Sequence, residues 1–181
     1  MFRKFTFIKS WITLILKAER NLDMKRYDFV LAGNRDPRIM GLVGKTDHKI
    51  LAVWAADCAE RVLPWFDQKY PEDHRPRNAI KTLREWIATG KFRMAVIRKA
   101  SLDSHAAARD VGDDNAARSA ARAAGQAVAK AHVASHAVGA AIYALQAVFR
   151  NVGPAEAEAA VAAEKEWQHR DLLELDKTHN L

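Results

Sequence analysis

The sequence predicts an all-α fold: a single-domain bundle of five to six helices around one long alanine-rich central helix. Three observations lead there. The stretch from Ala116 to Phe149, AARSAARAAGQAVAKAHVASHAVGAAIYALQAVF, is dominated by alanine, the best helix former, and contains no proline. Its larger apolar residues, Val128, Val138, Ile142, Leu145 and Phe149, recur at helical spacing. Elsewhere the chain is punctuated by helix start and stop residues, while strand alternation and a fixed-period repeat are both missing.

The elements follow in order. Ile8, Trp11, Ile12, Ile15 and Leu22 share one helical face, which suits a membrane surface or a docking face on the domain. The apolar run Trp11–Leu16 is too short for a membrane span, which needs about 20 residues, and Lys9 interrupts it too early for a signal peptide. Met24 opens MKRYDFVL and reads as a natural start, so residues 1–23 are expected to be an extension and 24–181 the domain. Arg26–Leu31 reads as a short extended segment. Ala32–Lys45, with Gly33-Asn34, Asp36-Pro37, Gly41 and Gly44, reads as a loop.

Thr46 is the expected N-cap of a helix over 47–69, with Asp47 in its first turn. Leu51, Trp54, Ala55, Cys58, Val62 and Phe66 share its inner face. Pro64 predicts a kink near 60–64, and Tyr70-Pro71 ends the segment. Asp73 then caps a helix that begins near Pro76, runs to Thr89 and stops at Gly90, with Ile80, Leu83, Trp86 and Ile87 inward. A further helix spans about 92–110 and stops at Gly112. Asp113, Asp114 or Asn115 caps the alanine helix. Asn151-Val152-Gly153-Pro154 breaks the chain before a last helix to about Asp176.

Composition narrows the function classes. A single cysteine, Cys58, rules out an internal disulfide and a multi-cysteine metal site, and fits a reducing cytoplasmic setting. Cys58 reads as a small buried hydrophobe. The net charge of +7 is uneven, with 21 basic against 11 acidic residues over 1–100 and 8 against 11 over 101–181. A basic front half suits an anionic partner or a solvated face. No phosphate loop, nucleotide fingerprint or nucleic-acid motif is present, which disfavours nucleic acid. Of the five tryptophans, Trp54, Trp65 and Trp86 fall on helical faces and read as core.

Two constellations are candidate sites. His132 and His136 stand four apart on the alanine helix, the spacing of a helical zinc pair, but without the glutamate of an H-E-x-x-H motif. A third ligand would come from His105, His48 or Asp57, and Tyr143 beside Gly139 is a candidate partner for either histidine. The bland reading is a hydrogen-bonded pair. Arg75, Arg77, Lys81 and Arg84 form the densest basic feature, and like charges at helical spacing repel. Asp57 and Glu60 are placed to relieve them, with Asp57 also able to pair with Arg61. The functional alternative is recognition of an acidic surface or a phosphate.

RDPR at Arg35–Arg38, DHKILAVWAADCAERVLPWF at Asp47–Phe66, RPRNAIKTLREW at Arg75–Trp86 and the alanine-rich segment from Ala120 to Val148 together resemble the immunity-protein family with an Imm-5-like domain, found in bacterial polymorphic toxin systems. The resemblance covers most of residues 33–150, and Ser135 stands where that family more often carries Asp. It implies an all-helical, non-enzymatic bacterial protein without cofactor that neutralises a cognate protein toxin encoded nearby. Arg75, Arg77, Lys81, Arg84, Asp57, Glu60, His132 and His136 are then the candidate partner-binding residues, and a second copy of the chain is a further candidate partner. The competing readings are a metal-binding helical protein using His132 and His136, and a basic-surface binder of nucleic acid or membrane.

Overall fold

The computed structural model describes residues 36–113, 115–133 and 135–179, which belong to one compact unit over 34–181. The expected N-terminal helical face, the Met24 start and the extended segment at 26–31 lie outside the described residues. Among those described, eight helical segments and no strand occur: α1 Pro37–Val43, α2 His48–Val62, α3 Pro64–Asp67, α4 Arg75–Thr89, α5 Met94–Asp110, α6 Ala116–Ala129, α7 His136–Asn151 and α8 Ala157–His179. None of them is long and apolar enough to cross a membrane.

The all-α class stands, but there are more helices than the sequence suggested. The expected loop at 32–45 contains α1. Asp36-Pro37 is a cap followed by a helix-compatible proline, and the Asp36 side chain accepts a 2.9 Å hydrogen bond from the Arg38 amide. The cap of α2 moves by one residue. Asp47 accepts from the Lys49 amide, whereas Thr46 donates its hydroxyl to the Leu42 carbonyl and closes α1. Pro64 divides α2 from α3 as expected. Gly90 (φ 67°) and Gly112 (φ 76°) end α4 and α5 in the left-handed conformation that glycine adopts without steric cost. Asn115 caps α6, accepting from the Arg118 amide.

The largest correction concerns the alanine stretch. It is an antiparallel hairpin, α6 and α7, and no single long helix forms. At its end α6 tightens: the amides of Ala131 and His132 bond three residues back, to Val128 and Ala129. No glycine or proline marks the break. Size explains it. One helix over those 34 residues would be about 51 Å long, beyond the roughly 38 Å diameter of a domain this size. Alanine walls on every side gain most when surrounded, and folding back surrounds them.

Accordingly α6 is buried almost all round and packs against α2, α3, α4, α5 and α7. Gly125 of α6 receives the His105 ring of α5, and Gly139 of α7 receives the Gln126 side chain of α6. Ser101 and Ser104 of α5 donate to the carbonyls of Gly125 and Ala121 at 2.9 and 2.8 Å, so their buried hydroxyls are satisfied. The last helix docks through polar side chains. Trp54, fully buried on α2, donates its indole N–H to the Gln168 carbonyl at 2.9 Å. Glu164, 5% exposed, accepts from Arg61 at 3.0 and 3.1 Å, and Arg61 stacks on Trp167 at 3.9 Å. Arg61 therefore pairs across to α8 rather than with Asp57.

Candidate functional site

The candidate residues separate into two places. Glu60 and Leu63 from the end of α2, Pro64 and Asp67 from α3, and Arg77, Lys81 and Arg84 from α4 line an open groove of about 430 Å³. Pro64, where α2 gives way to α3, lies in its lining, and the buried side chains of Leu63 and Ile80 form its apolar part. Arg84 reaches across to Asp57 at 2.5 Å and Glu60 at 2.7 Å. Those bonds, Glu60 first, hold its guanidinium pKa above the ordinary arginine value. Burial outweighs the arginine at Asp57 and pushes its carboxyl up. Arg77 pairs with Asp67. Arg75 turns away from the groove, bonding Asp73 at 2.6 Å and Asp110 at 2.7 Å.

Internal pairing thus relieves the basic row at Arg75, Arg77 and Arg84. Lys81 is different. It is exposed and makes no ion pair among the described residues, so it is the groove's uncommitted charge.

The second place is a cleft of about 530 Å³ between α5 and the α6–α7 turn, lined by Met94, Arg98, Leu102, His105, His132 and His136 with Ser101 and Ala129 behind them. His132 and His136 do not sit four apart on one helix. His132 lies in the turn and His136 opens α7, with ring centroids 5.6 Å apart. His136 Nδ1 bonds Gln126 Oε1 at 2.6 Å, so its partner is Gln126 rather than Tyr143. Burial, then His132, lowers the His136 pKa. Burial, with Arg122 next, brings His105 down to about 4, so that ring is neutral near pH 7. His105 lines the same cleft, but no group of three or more metal-ligating side chains able to hold an ion occurs among the described residues. His48 and Asp57 are elsewhere: His48 meets Trp86 edge-on at 5.6 Å, and Asp57 faces Arg84.

Two expectations about single residues resolve plainly. Cys58 is fully buried, and burial pushes its thiol pKa far up, which leaves it unreactive. Trp54 and Trp86 are core, whereas Trp65 is half exposed beside Lys69, Asn115 and Arg150.

Sequence reasoning passed over Lys130. It is completely buried at the end of α6, with its ammonium 2.8 Å from His48 Nδ1, and burial lowers its pKa to about 8. Asp67 and Arg98 were also passed over, since only the fold brings each to a recess.

Fold and recesses together define an all-helical bundle whose polar side chains are engaged largely with one another across helix boundaries. The chain belongs to the Imm-5 like putative immunity protein family, whose model matches residues 41–175. That span takes in both recesses and reaches beyond the segments that carried the resemblance, into α8. Searches of curated proteins and of solved structures gave no match.

Proposed function

We propose that this protein neutralises a cognate toxin by binding it, without catalysing a reaction, and that the groove between α3 and α4 forms part of the contact. Family membership supports the immunity role. The observation that carries the groove is Lys81, an exposed ammonium without an ion pair among the described residues, in a groove whose two arginines are paired with carboxylates of the same chain. Such a face suits an acidic patch on a protein partner. Asp57, Glu60 and Arg84 shape its wall, and Arg75 contributes stability from outside it. An inhibitor built against a basic nuclease site would present acidic groups instead.

The test is co-purification with the products of the adjacent genes, followed by Lys81→Glu, with Lys177→Glu on α8 as control. Lys81→Glu should slow association several-fold and reduce its salt dependence, because exposed charges act chiefly on encounter rates. Failure of the wild-type protein to bind any neighbouring product would remove the reading. Arg84→Glu is less informative, since it would leave Asp57 and Glu60 facing a third carboxylate and cost stability as well.

A further inference from the structure

We infer that the cleft between α5 and the α6–α7 turn takes an acidic amphipathic segment of the toxin, with one apolar side chain seated in the cleft and a carboxylate on Arg98. This rests on the immunity reading and adds to it a second, apolar contact. Six large hydrophobic residues are exposed among the described residues, and two of them, Met94 and Leu102, stand together in the lining of this cleft. Isolated exposed hydrophobes mean little, but a clustered set beside a recess marks an interaction surface.

The charge of the recess selects the partner. Arg98 is exposed and unpaired among the described residues, and the lining holds no carboxylate. On the same helix, Asp103 is engaged with Lys99 at 2.6 Å. Arg122 stands beside His105 at 3.4 Å and adds to the positive field. The histidines can exchange hydrogen bonds with a partner while keeping the cavity's walls weakly polar. Met94, Arg98 and Leu102 follow one another at four-residue intervals along α5, so a helix laid alongside would meet apolar and basic groups in turn. A nucleic acid would require a row of cations, and the lining of this cleft offers one, Arg98, between Met94 and Leu102.

The experiment uses the full chain and the toxin captured through its neighbouring gene. Leu102→Glu and Arg98→Glu, both at exposed positions, should each weaken binding at least tenfold, whereas Lys177→Glu leaves it unchanged. Hydrogen exchange on the complex should show protection over 94–105. Binding by wild type with neither variant weakened, or protection confined to other helices, overturns this inference and leaves the immunity reading standing. Absence of toxin binding by wild type removes both. A concentration-dependent dimer abolished by Leu102→Glu, or duplex DNA binding abolished by Arg98→Glu, assigns the surface to a different occupant and equally overturns it.

Discussion

Replacing Lys130 with methionine should make this protein more stable at neutral pH. The lysine side chain is fully buried, and among the described residues its ammonium has one hydrogen-bond partner, His48 Nδ1 at 2.8 Å. Burial brings its pKa from 10.5 to about 8, with Asp47 opposing weakly. At pH 7 the charged form therefore carries a penalty of at most about 3 kcal/mol. Methionine fills nearly the same volume without charge, at a packing cost of about 1 kcal/mol or less. The lost hydrogen bond returns about 1 kcal/mol to the debit side, although His48 is exposed and water can replace the amine. The net expectation is a gain of about 1–2 kcal/mol, or roughly 3–6 °C in Tm for a chain of this size.

The pH profile separates this account from simple packing. Between about 8 and 10.5 the unfolded lysine holds a proton that the folded one has released. Wild-type stability should thus rise with pH across that window, and the advantage of Lys130→Met should vanish within it and become a deficit of about 1 kcal/mol at its upper end. Urea denaturation of both proteins from pH 7 to 10.5 measures this. A variant no more stable than wild type at pH 7, or a parallel pair of pH profiles, would refute the reasoning.

Three further outcomes follow from the same geometry. Arg61→Ala should cost about 2–3 kcal/mol by denaturant melts, because it leaves the buried Glu164 carboxylate without its cation and frees Trp167, and Glu164→Gln in the same background should recover part of that loss. Gly125→Ala would place a methyl carbon 2.9–3.0 Å from three atoms of the His105 ring, so despite a helix-propensity gain of about 1 kcal/mol it should destabilise; combined with His105→Ala the same change should stabilise, and a destabilising effect there would sink the steric account. His105 takes up its proton near pH 4 in the folded protein and near 6.5 when unfolded, so the unfolded state binds more protons in between and stability should fall as pH drops through that window; His105→Gln should flatten this part of the profile.

The fold class was legible because alanine content, apolar spacing and punctuation all point to helices, and most boundaries fell where Pro64, Gly90, Gly112 and Asn115 place them. The break in the alanine stretch was illegible for a physical reason. No residue at 130–135 forbids a helix, and the decision comes from what the flanking segments bury once they fold back. Propensity is local, whereas this choice belongs to the whole domain. The loop that became α1 failed differently: the glycines outweighed a cap signal already present in Asp36-Pro37. Arg84 with Asp57 and Glu60 was readable because only the short α3 separates the helices bearing them. Arg61 with Glu164, 103 residues apart, was not, and neither was the meeting of Lys130 with His48.

Alanine packing also explains why recognition would fall to the two recesses. Helices walled with methyl groups approach closely and leave little interior space for a ligand, so the larger gaps open where something bulkier or stiffer intrudes. One lies where Pro64 breaks the helix between α2 and α3. The other lies where α5 carries Met94, Arg98, Leu102 and His105 past the α6–α7 turn with its two histidines. These two surfaces differ in kind. The groove's arginines are held by carboxylates of the same chain, so a partner there gains chiefly from Lys81. The cleft offers exposed hydrophobic area and an unpaired arginine, and buried apolar anchors ordinarily supply most of the affinity at a protein interface. If both touch one toxin, substitutions at Lys81 should act mainly on association and those at Leu102 mainly on dissociation. Stopped-flow kinetics on the two variants would show it, and equal effects on both rates would mean that the surfaces are not divided in this way.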